Sequence, residues 1–324
     1  MRYRTLGRTG WQVSEIGFGA WGIGRSMWLG GEDPESLAAL GRAMDLGVNF
    51  IDTALAYGDG HSENLVGQGT RKRQERVFVA TKVPPKNLLW PARPGVPIDR
   101  VFPYDYVMES TERSLRNLGV ETIDLQQYHV WSGEWLGSDH WRRAVERLKS
   151  SGQARFVGIS INDYQPESVL ETLRTGLIDC VQVIYNIYDP RAAEKLFPLC
   201  QELNIGVIAR VPLDEGGLTG SITRDTAFPK GDWRNRYFRG DRKRQVEERT
   251  EKLKRAVGNQ HGDLAQVALR FCLSAPAVST VIPGMRSVRH VESSCAVLEK
   301  GPLPPELLDA LGKHVWIRNF YGEE

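Results

Sequence analysis

Short apolar runs alternate with amphipathic stretches along most of this chain. The runs fall at 16–19, 48–52, 77–82, 125–129, 156–160, 180–185, 206–210 and 279–282. Each is rich in Val, Ile, Phe or Tyr and reads as a strand buried on both faces. Between them, apolar positions recur at helical spacing over 35–46, 106–118, 141–150, 168–175 and 191–203. Asp33-Pro34 opens the first of these helices, and Gly47, Gly119, Gly152 and Gly176 close others. Strands alternating with helices predict a parallel sheet, and eight such strands close into a (β/α)8 barrel, the TIM-barrel architecture.

Two regions stand outside this repeat. Residues 1–15 alternate around Gly7 and Thr9-Gly10 and predict a β-hairpin that plugs the barrel bottom. Residues 213–242 form a long loop after the seventh strand, on the face where barrels carry their chemistry, and are a candidate lid. At 324 residues the chain is read as a single barrel domain over 1–324, a length such folds reach as one unit.

Charge adds little. The formal net charge is +2, which gives no electrostatic case for a nucleic-acid or membrane-surface partner. The Arg-rich stretch 234–255 is interspersed with acids and reads as one solvated helix. No apolar run reaches the roughly 18 residues of a membrane span, and the N-terminus lacks an apolar targeting core. Cys180, Cys200, Cys272 and Cys295 stand far apart with no CxxC pair, the usage of reduced thiols in a cytoplasmic protein. The six histidines show no metal-ligand spacing, so no metal is expected.

Gly17-Phe18-Gly19-Ala20-Trp21-Gly22 matches a dinucleotide fingerprint, but that motif needs a helix to start at once, with its N–H groups on the pyrophosphate. Here more glycines follow, and the first helix waits for Asp33. The pattern therefore reads as backbone that lets a ligand approach closely.

The informative polar residues end strands. Asp52 closes VNFID, Lys82 VFVATK, His129 DLQQYH and Ser160 FVGIS, while Tyr57 lies in the loop after Asp52. In a barrel all would ring one mouth. A carboxylate, an ammonium, an imidazole and a phenol together suit reduction of a carbonyl by hydride, where a donor must protonate the oxygen as charge develops on it. A free phenol, with a pKa of about 10, is a weak acid at neutral pH. Lys82 is expected to lower that pKa, with Asp52 holding Lys82 in place and a neutral His129 steering the carbonyl.

These residues resemble the aldo-keto reductase superfamily. NFIDTALAYGDGHSENLVGQ is similar to its aspartate–tyrosine segment, VFVATKVP to its lysine strand and TIDLQQYHVW to its histidine strand. ARFVGIS and VQVIYN resemble the strands whose Ser and Gln hold the nicotinamide amide. VIARVPLDEGGLTG resembles the pyrophosphate loop, and STVIPGMRS the 2′-phosphate segment. The resemblance implies a TIM barrel that binds NADP(H) across its mouth. It implies Tyr57 as general acid/base with Asp52, Lys82 and His129. Around the cofactor it implies Ala20, Trp21, Asp52, Ser160, Gln182, Arg210, Leu213, Glu215, Gly216, Gly284, Arg286, His290 and Ser294.

Several positions depart from the family pattern. Ile161 follows Ser160, and Asn162 comes one place late. Arg210 stands where an aromatic ring usually stacks on nicotinamide, which predicts a preference for NADPH over NADP⁺ on charge grounds. Asp214 and Glu215 on the phosphate-facing loop are expected to point their side chains away. Gly284 replaces the usual lysine, and Ser293-Ser294 an acid–amide pair, yet Arg286, Arg289 and His290 favour NADP(H) over NAD(H).

Trp21, Trp28, Tyr57, Trp90, His129 and Trp131 are the expected substrate wall, suited to an aromatic aldehyde or the apolar face of a sugar. Trp135 also falls near the mouth loops, and the tail 314–321, with Trp316, Phe320 and Tyr321, is a candidate cover. The expected partner is a small carbonyl or sugar, and oligomeric state is not readable from one chain. The alternative to an oxidoreductase is an NADPH-binding regulatory or sensor protein of the same fold with little turnover.

Overall fold

A computed structural model describes residues 1–258 and 260–318. The first two strands, β1 (Tyr3–Thr5) and β2 (Gln12–Ser14), pair antiparallel. Eight more follow: β3 (Phe18–Gly19), β4 (Phe50–Asp52), β5 (Phe78–Val83), β6 (Ile123–Tyr128), β7 (Ala154–Ser160), β8 (Cys180–Ile184), β9 (Gly206–Arg210) and β10 (Val278–Val281). Each is parallel to its sequence neighbour, in the spatial order β3 to β10. Bridges of Ile16 to Val281 and of Gly19 to Gly284 join the two ends of this sheet. They also explain why β3 is shorter than the expected 16–19: Ile16 is spent on the closing seam. The fold is the (β/α)8 barrel.

The hairpin closes the bottom. Leu6 and Val13 are fully buried against Phe50, Phe78, Ala80, Leu125, Cys180 and Ile208, which point into the barrel from their strands. Trp11 stacks on Phe78 at 4.5 Å. Contact with the barrel is so close that a Cβ on Gly7, whose φ is +48°, would come within 2.2 Å of the Gly206 nitrogen. Arg4 ties the hairpin in place, donating to the carbonyls of Leu273 and Val278 while pairing with Glu15. The lower barrel is thus apolar, and the polar interior is confined to the opposite end.

The outer helices follow their sequence signals. Asp139–Ser150 is capped by the Ser138 hydroxyl and Leu264–Leu273 by Asp263, while Tyr104–Leu118 ends on Gly119 with φ +66°. The stretch expected at 191–203 divides into Arg191–Ala193 and Leu196–Glu202, where Pro198 has no N–H to extend a longer helix backwards. The stretch expected at 168–175 is likewise a short turn, Pro166–Val169, followed by Leu170–Leu173.

The Arg-rich stretch is not one solvated helix. It forms Trp233–Tyr237 and Arg242–Val257, and Arg242 is buried beside Asp214. The long loop at 213–242 is largely structured. It crosses to the loop after β3, where Trp233 N donates to Met27 O and Leu29 N donates to Asp232 Oδ2. The four cysteines are unpaired. Among the described residues no helix is long and apolar enough to cross a membrane.

Candidate active site

The strand ends place the four expected proton-handling groups together. Lys82, fully buried on β5, donates from Nζ to Asp52 Oδ2 and to Thr53 O, each at 2.7 Å, and to Tyr57 Oη at 3.3 Å. The other carboxylate oxygen of Asp52 accepts from Gln182 Nε2 at 2.6 Å. A charge that deep requires such matching. Lys82 therefore stands behind Tyr57, and the phenol separates it from the cavity. His129 packs edge-on against Tyr57 on one side and Trp90 on the other, with centroids 5.7 and 5.6 Å apart.

Electrostatics divide the groups. Burial holds His129 well below the ordinary histidine pKa, reinforced by Lys82 and Arg210, so the ring is neutral at pH 7. Burial also pulls Lys82 down, and Asp52 pulls it back. Tyr57 departs from the sequence expectation. Its pKa lies well above the usual phenol value because burial and then the Asp52 carboxylate penalise the phenolate. Lys82 already serves Asp52, so its charge does not make the resting phenol more acidic.

A continuous cavity of about 1340 Å³ runs from these groups to the segment after β10. At the Tyr57 end Ser160 and Gln182, register partners on β7 and β8, share one level of its wall. Arg210, Leu213, Glu215 and Gly216 line the middle, and Gly284, Arg286, His290 and Ser294 the far end. Trp21, Trp28 and Trp90 line it as well, together with Leu88, Leu89 and Trp233, which the sequence reading did not single out. These come from loops without strand-end signals, so only the folded chain brings them to the mouth.

Several expectations need correction. Trp131 is fully buried outside the cavity. Its indole donates to Thr172 Oγ1 and packs among Tyr128, Trp135 and Trp141 in the layer between barrel and helices. Trp135 is buried there too. Ala20 is buried behind the wall, its N–H donating to Asp52 O and its carbonyl accepting from Ser62 Oγ, which leaves Trp21 and Gly22 as the lining residues of that turn.

Asn162 is committed to the scaffold: its Oδ1 accepts from Ala92 N and Trp131 N, and its Nδ2 donates to Ala92 O and Gln165 Oε1. Asp214 does turn away, to Tyr237 and Arg242, but Glu215 lines the cavity. Burial and Asp214 push the Glu215 carboxyl up to about 8. Arg210 pairs with Asp163 and donates to Ile161 O, so its charge is balanced and the expected preference for NADPH on that ground loses its basis. Trp316 packs on Tyr188, Arg242 and Arg249, apart from the cavity lining, while Phe320 and Tyr321 lie outside the described residues.

The donor set suits a nicotinamide dinucleotide. Ser160 and Gln182 line the Tyr57 end, a backbone turn with left-handed residues at 214–216 occupies the middle, and two arginines and a histidine gather around the far end. At Gly22 the close neighbour is a side chain of the fold, since a Cβ there would come within 2.7 Å of Arg286 Cγ. The model of the Aldo/keto reductase family matches residues 15–315.

The chain belongs to the aldo/keto reductase family.

It is similar over most of its length to proteins named for different cofactors and substrates. It is 28% identical to the holo form of an aldo-keto reductase from Bacillus halodurans, covering 97% of this chain and 96% of that one, with a TM-score of 0.75. It is 26% identical to a glycerol dehydrogenase from Gluconobacter oxydans, with coverage of 97% and 94% and a TM-score of 0.76. The NADH-specific methylglyoxal reductase of Escherichia coli is 29% identical over 312 residues, 92% of this chain and 94% of that protein. As an aldo/keto reductase, the chain carries its aspartate at the end of β4, its phenol in the loop after β4, its lysine on β5 and its histidine directly after β6.

Proposed function

We propose that this protein is an NADP(H)-dependent oxidoreductase that moves hydride reversibly between nicotinamide C4 and the carbonyl of an aldehyde, ketone or sugar. The observation that carries the reading is the Lys82 ammonium placed between Asp52 and Tyr57, beside a neutral His129, at the end of a dinucleotide-sized cavity. NADPH, when bound, supplies the hydride. Ser160 and Gln182 would hold its carboxamide, Leu213, Glu215 and Gly216 lie along the pyrophosphate path, and Arg286, His290 and Ser294 face the adenosine end.

The chain's own residues manage the proton. His129, uncharged, offers a hydrogen bond to the carbonyl oxygen without competing as an acid. Tyr57, whose raised pKa keeps it protonated, gives its hydroxyl proton to that oxygen as charge develops there. The phenolate so formed lies 3.3 Å from the Lys82 ammonium, which limits the cost of the charge left behind. In the reverse direction the same phenolate takes the proton back from an alcohol.

The arginines of the adenosine end favour NADP(H), although the Escherichia coli relative is named as NADH-specific. Trp21, Trp28 and Trp90 supply flat apolar walls for a planar or ring-shaped carbonyl compound. The reading is tested by following NADPH oxidation at 340 nm (the reduced nicotinamide band) with a panel of aromatic, aliphatic and sugar carbonyls, and identifying the alcohol formed. Turnover with matching alcohol is the expected result. NADPH binding without turnover of any carbonyl would contradict it.

A further inference from the structure

A second, smaller cavity of about 480 Å³ opens beside the adenosine end of the large one. It is lined by Gly30, Gly31, Glu35, Arg286, Ser287, Val288, Arg289 and His290, and shares Arg286 and His290 with the large cavity. Arg286 is fixed there: it donates to Leu29 O, lies 5.5 Å over the Trp28 ring and packs against Gly22. Ser287 caps the helix Val288–Cys295 and accepts from His290 N.

Across from these cations stands a carboxylate that nothing in the proposed reaction uses. Glu35 lies in the first turn of the helix Asp33–Asp45. Its acidic neighbours are committed elsewhere, Glu32 to Arg25, and Asp33 to Arg25 and His61. Glu35 instead lines the cavity and acts electrostatically on both Arg286 and His290. Burial, Arg289 and Arg286 hold His290 below its usual pKa, so two arginines and one carboxylate set the charge of this cavity near neutral pH. Gly30 adds no side chain, and space beside it is open.

We propose that Glu35 is a specificity-determining residue that tempers the preference for a 2′-phosphate, opposing that group in NADP(H) while accepting a hydrogen bond from the free 2′-hydroxyl of NAD(H). The inference rests on the cofactor reading above. Repulsion between the carboxylate and a phosphate of nearly two charges is screened at this wet rim, so removing the carboxylate is expected to raise NADP(H) affinity roughly three- to tenfold.

The test is titration of wild type, Glu35→Gln and Glu32→Gln with NADPH and with NADH, followed by quenching of tryptophan emission, since Trp21 and Trp28 line the adjoining cavity. Glu35→Gln should bind NADPH roughly three- to tenfold more tightly and NADH no better than wild type, with the gain shrinking in high salt, while Glu32→Gln stays at the wild-type ratio. An unchanged NADPH-to-NADH ratio in Glu35→Gln, or an equal shift in Glu32→Gln, overturns the proposal and leaves the cofactor reading standing. Failure of either dinucleotide to bind any of the three proteins overturns both.

Discussion

The two ends of the large cavity handle charge in opposite ways. At the Lys82 end the charges are buried and matched inside the barrel, Lys82 against Asp52, while Arg210 and Asp163 pair half-buried further along. At the adenosine end Arg286 is half-buried, Arg289 and Glu35 are exposed, and each belongs to a different element or turn from its opposite charge. Where the proposed reaction would move a proton, Lys82, Asp52 and Tyr57 are shielded from solvent and hold one geometry. Where affinity for an anion is graded, charges stay wet and their effects stay small. Substitutions should therefore be severe at one end and modest at the other.

The largest effect is expected from Lys82→Met. It leaves Asp52 buried with only amide donors, so unfolding in denaturant should show a loss of about 3–5 kcal/mol along with the loss of turnover. A fully stable variant would mean that the pair is not the keystone of this end. Trp131→Ala should cost stability of similar size, about 3–5 kcal/mol, through loss of a fully buried indole. Its KM for carbonyl substrates should stay unchanged in the folded fraction. A selective rise in KM would return Trp131 to the pocket wall.

The smallest effect lies between the two ends. Burial and Asp214 push the Glu215 carboxyl up to about 8, and it lines the cavity proposed to hold the dinucleotide. Below that pH it is neutral, and above it a negative charge faces the phosphates. NADPH binding should weaken a few-fold as pH rises through 8, and Glu215→Gln should flatten that dependence. A profile unchanged by the substitution would place the carboxylate away from the cofactor.

The barrel was legible because strands buried on both faces read as unbroken apolar runs, and the polar residue ending a run marks the mouth. Asp52, Lys82, His129 and Ser160 were marked by that logic, while Gln182, inside its run, was legible only through the family resemblance. What escaped is long-range. Trp131 follows His129 by two residues and looked like mouth, but its partners are Thr172 and two other tryptophans of the helix layer. Asp214 meets Arg242, 28 residues away, and nothing local marks the pair. Glu35 and Arg286 line one cavity because the first and last barrel strands adjoin at the closing seam. The Tyr57 pKa was misread because its neighbours were counted without burial, which dominates.

The central claim is that Tyr57 delivers the proton. The most direct measurement is kcat/KM of Tyr57→Phe with NADPH and a carbonyl that wild type reduces, alongside the NADPH dissociation constant of both proteins. Losing one hydroxyl while keeping the ring should lower kcat/KM by at least about a hundredfold with dinucleotide affinity unchanged. A variant that reduces the carbonyl within a few-fold of wild type would contradict the account and hand the proton to another group.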